Sequence, residues 1–199
     1  GYLREPMSIQ SYAALAAIAI QSNQNDQHGG QSIPNFDYGM AEGVAKSFRK
    51  SYATMLTESV EDVLDLEDAS EQVSEAVAAA EEVTGETARL ENGEGFDKAV
   101  AATLCGTLSL SGKDAARLIA RARKRATTRT DRDTYQSMEG FVHNLNTMHS
   151  RAGAQTPFSS INYGTDTSPE GRMVIRNILL ALDAGLGHGE TCIFPIHIF

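Results

Sequence analysis

The chain has 199 residues, of which 41% are hydrophobic, and 17 basic against 26 acidic residues give it a formal net charge of −9 at pH 7. An acidic chain lacks the basic face that binds phosphate backbones, so we expect no nucleic-acid partner. No apolar run approaches the roughly 18 residues of a membrane span, and two cysteines do not make a disulfide framework. We therefore expect no membrane partner and a cytoplasmic location.

The first third of the chain has two helical patterns separated by a break. Apolar and small residues at helical spacing predict a buried or interface helix over residues 6–24. Gly29, Gly30 and Pro34 interrupt the pattern over residues 26–39. A second helix is predicted over residues 42–66.

The middle of the chain is divided by charge. Residues 58–97 are strongly acidic, with Arg89 as their single basic residue, and predict a solvated helix followed by a loose, variable connection. Residues 114–132 are strongly basic. Opposite runs of this kind indicate surface charges that tolerate each other, and an arm that binds nucleic acid is the alternative.

The last third predicts helix, strand, helix and strand. Residues 133–151 form an amphipathic helix and residues 156–163 a strand. Ser168 is a suitable N-cap, with Pro169 and Glu170 in the first turn, and a glycine, Gly185 or Gly187, ends this helix. The apolar run over residues 191–199 predicts a strand that is buried on both faces. Two such strands joined by a helix indicate a parallel α/β unit.

The loop "SSINYGTDTSPE" follows the carboxyl end of the first of these strands, where parallel α/β sheets bind ligands. Its hydroxyl and amide groups suit a nucleotide phosphate or ribose. Other candidate motifs are weaker. Gly106, Gly112 and Lys113 have the wrong spacing for a phosphate loop, and His143 and His149 lie on opposite sides of a helix, so we predict no metal site.

Three stretches resemble one family. They are "REPMSIQSYAALAAIAIQSNQNDQHGGQSIPNFDYG", "GFVHNLNTMHSRAGAQTPFSSINYGTDTSPEGR" and "GLGHGETCIFPIHIF". Together they resemble the central part of the large catalytic subunit of anaerobic (class III) ribonucleoside-triphosphate reductase. The resemblance implies an α/β fold, helix-rich here, that forms part of a ten-stranded α/β barrel of the glycyl-radical type. Residues 1–66 would supply dimer and effector helices with some wall, residues 67–132 a variable helical connection, and residues 133–199 barrel wall.

The resemblance also implies the chemistry. Ribonucleoside triphosphates would be reduced by a thiyl radical, with the spin stored on a glycyl radical and formate as the reductant. An activase with an iron–sulfur cluster and S-adenosylmethionine would generate the radical. The family's radical residues correspond to segments outside this chain, and Cys105 and Cys192 match neither catalytic cysteine. We therefore expect a fragment of a longer oxidoreductase that has no catalytic residue and is inactive alone.

The same resemblance suggests binding residues. The effectors would be ATP or deoxyribonucleoside triphosphates, bound at the interface of a homodimer, and their candidate contacts are Arg4, Glu5 and Met7. The candidate substrate contacts are Gln31, Ser32, Arg151, Ser159, Ser160, Asn162 and Thr165. Each of these side chains has a structural alternative, namely a capping or network role. For the whole chain, the alternative is a stand-alone helical module that binds nucleotides or dimerises without catalysis.

Overall fold

The computed structural model describes residues 4–27, 29–148 and 156–199. In this part of the chain the fold is α/β and rich in helix, with one small parallel sheet. The elements are α1 Ile9–Asp26, β1 Gln31–Ile33, α2 Phe36–Leu64, α3 Ser70–Thr84, α4 Glu94–Leu108, α5 Gly112–Thr147, β2 Ser159–Asn162, α6 Pro169–Ala184 and β3 Ile196–Ile198. The chain divides into two compact units, unit 1 with residues 1–46 and 131–199 and unit 2 with residues 47–130.

The sheet belongs to unit 1 and has the order β1-β2-β3, with both pairs parallel. The predicted parallel strand–helix–strand unit is thus confirmed as β2–α6–β3. The sequence analysis missed β1, because three residues after a double glycine are too few to show a strand pattern. The predicted burial of the last strand on both faces is wrong. β3 lies at the sheet edge, and Ile196 and Ile198 are 56% and 46% exposed.

The predicted start of α6 is confirmed. Ser168 is the N-cap and its hydroxyl accepts a hydrogen bond from the Gly171 N–H at 3.0 Å. Pro169 occupies the first turn, where its missing N–H costs no helical hydrogen bond. The helix ends at Gly185, one of the two predicted stops.

The core of unit 1 brings α1, α2, α5 and α6 together with β2. Its most buried side chains are apolar, and the Phe36 and Phe141 rings lie 5.1 Å apart. In the described strands Ile161 is a fully buried side chain. By strand alternation Gln31 and Ser159 share the Ile161 face, so both faces of the sheet carry polar residues considered below.

Unit 2 corrects the prediction for the acidic segment. Residues 58–97 contain the end of α2, all of α3 and the start of α4, and α3 packs on α4. The connection over residues 85–93 is tied down by Arg123, whose guanidinium donates to the Arg89 carbonyl at 2.7 Å and to Asp97 at 2.6 Å. The sequence did not predict this packing because the buried face of α3 consists only of alanine and valine, among many acidic residues. The basic run continues into the following predicted helix as one helix, α5.

Within the described residues, we find no helix that combines the length and the apolar character needed to cross a bilayer.

Candidate functional site

Parallel pairing brings distant polar residues into adjacent rows of the sheet. Gln31 is in register with Ser159, and Ser32 is in register with Ser160. Because successive side chains of a strand alternate between faces, Ser32, Ser160 and Asn162 share the face opposite Ile161. The Ser32 hydroxyl donates to the Asn162 Oδ1 at 3.1 Å, which links the two strands through their side chains.

A cavity of about 590 Å³ opens at the amino ends of the three strands, and not at the loop after the carboxyl end of β2, where the sequence predicted the ligand site. Its size is within the range of small-molecule sites, which combine apolar walls with a few convergent polar groups. The cavity is lined by Gln24, Gly29, Gly30, Gln31, Ser32, Phe158, Ser159, Ser160, Phe194 and Ile196. All these side chains are uncharged, so the described lining offers neutral hydrogen bonding and apolar contact.

Ser159 is a deeply buried polar residue of the cavity. It is 3% exposed, and its hydroxyl has no hydrogen-bond partner among the described residues. A buried hydroxyl without a partner costs about 1–3 kcal/mol. A ligand or a water that reached this hydroxyl would recover that free energy.

The apolar wall comes from two phenylalanines and the edge strand. The Phe158 and Phe194 rings meet edge to face with their centroids 5.1 Å apart. Phe194 is held from α5 by the Asn146 side chain, whose Oδ1 accepts hydrogen bonds from the N–H groups of Ile193 at 2.9 Å and Phe194 at 3.0 Å. Asn146 therefore fixes the segment that leads into β3.

The loop after β2 is anchored by Asp37, in the first turn of α2. Asp37 is fully buried, and its Oδ2 accepts hydrogen bonds from the N–H groups of Gly164 at 2.8 Å and Asp166 at 2.9 Å. The Tyr38 hydroxyl donates to the carbonyl of Thr165, the residue between them, at 3.4 Å. The backbone on both sides of Thr165 is thus held by α2, which positions its side chain.

The same contacts keep Asp37 ionised. Burial acts to raise its pKa, but hydrogen bonds from the backbone N–H groups of Asp166, Gly164 and Tyr38 stabilise the carboxylate, and the pKa ends below its ordinary value. A charged acceptor binds backbone N–H groups more strongly than a neutral one. Asp37 is therefore a firm anchor at neutral pH.

A second buried pair lies at the end of the sheet. The Tyr163 hydroxyl is 2.9 Å from Nδ1 of His197, and Nε2 of His197 is buried without a partner among the described residues. Burial lowers the pKa of His197 and raises the pKa of Tyr163. Both side chains are consequently neutral at pH 7 and act as a structural pair.

The structure places most of the predicted substrate contacts together. Gln31, Ser32, Ser159 and Ser160 line the cavity, and Asn162 follows on the same face. Thr165 lies in the anchored loop, and Arg151 lies outside the described residues. The sequence analysis missed other cavity residues and both anchors, Asp37 and Asn146. Both anchors lie inside the resembling stretches, but only the fold shows what they hold.

The three predicted effector contacts lie in the segment before α1. Glu5 forms an ion pair with Lys46 of α2, whose ammonium also donates to the Tyr12 hydroxyl at 3.1 Å. Arg4 is exposed, and Met7 is 68% exposed. Glu5 therefore connects this segment to α2, whereas the Arg4 and Met7 side chains are exposed to solvent.

The chain shows no metal cluster within the described ranges, where no three histidine, cysteine or acidic side chains converge. Cys105 and Cys192 are both free and half-buried, and neither is among the described lining of the cavity. Burial raises the pKa of the Cys192 thiol, which favours the unreactive protonated form.

Comparison with known proteins identifies the family. The family model for anaerobic ribonucleoside-triphosphate reductase matches residues 1–199. Proteins with that name are similar to part of the chain: those of Salmonella typhimurium and Escherichia coli are each 36% identical over 75 residues, and that of Enterobacteria phage T4 is 40% identical over 78 residues. These matches span 37% to 39% of this chain but only 10% to 13% of the relatives. Since the family model covers the whole chain, the chain belongs to the anaerobic ribonucleoside-triphosphate reductase family.

Proposed function

We propose that the protein is an oxidoreductase that converts ribonucleoside triphosphates into 2′-deoxyribonucleoside triphosphates without oxygen, and that this chain supplies one wall of its substrate cavity. Family membership over residues 1–199 supports the reaction. The row of Ser32, Ser160 and Asn162 beside a 590 Å³ cavity is the observation that carries the assignment of the wall.

The cavity's neutral lining defines which part of the substrate it would hold. Hydroxyls and amides both donate and accept hydrogen bonds, which matches ribose hydroxyls and base edges. A triphosphate needs cations, and the described lining has none. We therefore assign Gln31, Ser32, Ser159 and Ser160 to the nucleoside, with Arg151 as the candidate for a phosphate.

The loop after β2, at the other end of this strand from the cavity, would add a further contact. Thr165 is held between two amides bound to Asp37, so its hydroxyl is available at a defined position. Asn162 would orient the Ser32 hydroxyl, which donates to it. The role of the chain in this proposal is to bind and orient the ribonucleotide.

We further propose that the three strands belong to the ten-stranded α/β barrel implied by the resemblance. Both outer strands, β1 and β3, have an edge that no described strand covers. Exposed Ile196 and Ile198 would then be covered by neighbouring wall. In this arrangement residues 133–199 are barrel wall, residues 67–132 a helical connection, and residues 1–66 carry dimer and effector contacts.

The proposed radical machinery lies elsewhere in the protein. A thiyl radical fed from a glycyl radical would abstract hydrogen from the ribose, with formate as reductant and an iron–sulfur activase using S-adenosylmethionine. Cys105 and Cys192 do not fit the reactive thiol, since neither borders the described cavity. We therefore assign no radical step to this chain and propose that it is inactive alone.

The remaining proposals concern regulation and location. ATP or deoxyribonucleoside triphosphates would act at a homodimer interface that includes residues 6–24, with Arg4, Glu5 and Met7 nearby. Of these, Arg4 is the residue whose charge suits a phosphate, whereas Glu5 already pairs with Lys46. We place the enzyme in the cytoplasm.

Substitution of Ser160 in the full-length enzyme tests the substrate site. Each lost hydrogen bond is worth about 0.5–1.5 kcal/mol, so Ser160→Ala should raise KM for the ribonucleotide by roughly 2- to 12-fold. Ser74→Ala, at an exposed serine of unit 2, is the matched control and should leave KM unchanged. Equal KM values for both variants and the parent, in correctly folded protein, would remove Ser160 from the site.

A further inference from the structure

Two helices of unit 2 carry stripes of opposite charge with the same spacing. The acidic stripe lies on α3 and the basic stripe on α5, and in each an alanine occupies the position between the second and third charges. The acidic stripe consists of Glu71, Glu75, Ala78 and Glu82, and the basic stripe of Lys113, Arg117, Ala120 and Lys124. Residues three or four apart share one helix face, so each set is continuous along its helix.

Both stripes are exposed along their whole length. None of their six charged side chains forms an ion pair or hydrogen bond within the described residues, although unit 2 pairs other charges internally. Arg49 binds Glu81 with an N–O distance of 2.8 Å, and Arg123 binds Asp97 at 2.6 Å. The fold therefore leaves both stripes exposed and unpaired in the part of the chain that the structure describes, while some other charges of unit 2 form ion pairs.

The geometry of the basic stripe favours a helix as its partner. A helix rises about 1.5 Å per residue, so the charges of each stripe span roughly 16 Å and meet at the same intervals when two such helices lie side by side. Single-stranded nucleic acid would need aromatic platforms, and the exposed residues of α5 between Lys113 and Lys124 include no aromatic side chain. The net charge of −9 also opposes a nucleic-acid partner.

We propose that a second copy of this chain docks on unit 2 through these stripes, with the α3 helix of each copy against the α5 helix of the other. In a parallel register, each carboxylate of the acidic stripe faces the cation at the same position of the basic stripe, and Ala78 lies over Ala120. The small alanines permit close approach, and Ala116 and Ala120 also line a groove of about 430 Å³. A two-fold axis would form the same contact twice.

This contact is separate from the homodimer proposed for residues 6–24. Exposed ion pairs are individually weak and are screened by salt. The association should therefore be reversible and concentration-dependent. Its affinity should fall at least tenfold when NaCl rises from about 50 mM to about 300 mM, as the Debye length shortens.

Charge reversal in the full-length protein tests the proposal by sedimentation velocity. One variant reverses the acidic stripe (E71K/E75K/E82K) and another reverses the basic stripe (K113E/R117E/K124E). Each variant alone should lose the salt-sensitive association that the parent forms in addition to the homodimer proposed for residues 6–24, because its two stripes then have the same sign. An equimolar mixture of the two should regain it, since both contacts become complementary again.

Arg172→Glu, at an exposed position of α6, is the matched control and should associate like the parent. Circular dichroism checks that every variant is folded. The proposal is overturned if the parent forms no species larger than the homodimer proposed for residues 6–24 at low salt, if each reversed variant forms the same larger species as the parent, or if their mixture forms none. These outcomes do not depend on reductase activity, so they leave the proposed function untouched.

Discussion

Replacement of Asp37 by asparagine tests the anchor of the loop after β2. Asp37 is fully buried, and its carboxylate accepts hydrogen bonds from the N–H groups of Gly164, Asp166 and Tyr38 at 2.8, 2.9 and 3.1 Å. An amide has one acceptor oxygen, so it cannot serve the donors on both sides. Its oxygen can keep the bonds to Gly164 and Asp166 in weaker, uncharged form, while its NH₂ group then faces the Tyr38 N–H.

The expected cost follows from these contacts. An unpaired buried N–H costs about 1–3 kcal/mol, and loss of the charge weakens two further bonds by roughly 1 kcal/mol in total. We expect Asp37→Asn to lower the free energy of unfolding by about 2–4 kcal/mol in urea titrations. The Gly164 and Asp166 amides can exchange with solvent when the loop after β2 opens locally. Their protection against hydrogen exchange should then fall by roughly 30- to 1000-fold.

A control on the same helix separates the anchor from a general loss of charge. Asp62 is an exposed residue of α2, and Asp62→Asn should change neither stability nor amide protection. If Asp37→Asn shifts stability by less than about 0.5 kcal/mol, a typical surface effect, the assigned hydrogen bonds do not hold the loop.

The pH dependence of the parent offers a second check on Asp37. Its pKa in the folded state lies below the ordinary value of 3.8. The carboxylate's contribution to stability is therefore complete above that value and is lost as the pH falls from it through the folded-state pKa. In Asp37→Asn this part of the acid dependence should disappear.

Three further predictions concern unit 1. Gly171→Ala should cost about 1–3 kcal/mol by thermal melting, because the added Cβ would lie 2.3 Å from Cγ of Asp166, and an unchanged melting temperature would refute that contact. Ser168→Ala should cost about 1 kcal/mol through loss of the α6 N-cap, and Ser168→Asp, which can cap, should restore most of it. His197 has a pKa lowered by burial, so the unfolded chain takes up its proton first, and stability should fall as the pH drops below 6.5 towards the folded-state pKa. His197→Asn should flatten that slope, and a slope equal to the parent's would assign the effect to another group.

Sequence reasoning succeeded where the physical cause is local. The start of α6 depends on a hydroxyl, a proline and a carboxylate within three consecutive residues, Ser168 to Glu170, and their chemistry is independent of the rest of the fold. The parallel arrangement of β2 and β3 follows from the length of the helical connection between them. Both features were therefore predictable.

Prediction from the sequence failed where the partner of a residue lies far away along the chain. β1 exists because residues 31–33 pair with residues 159–161, more than a hundred positions away. The acidic middle of the chain forms packed helices because small residues such as Ala76 and Ala80 bury a face that the charges conceal. Arg123, which ties down residues 85–93, is indistinguishable in the sequence from the other arginines of the basic run.

For the candidate site, the amino-acid sequence by itself determined the chemistry: hydroxyls and amides concentrated around the end of a strand, in stretches that resemble one family. Only the tertiary structure decided which of these groups meet. Parallel pairing places Ser32 beside Ser160, and Asp37 holds the loop around Thr165 from the start of another helix. The physical reason is that side-chain chemistry is a property of each residue, whereas register, burial and hydrogen-bond partners arise from contacts between distant parts of the chain.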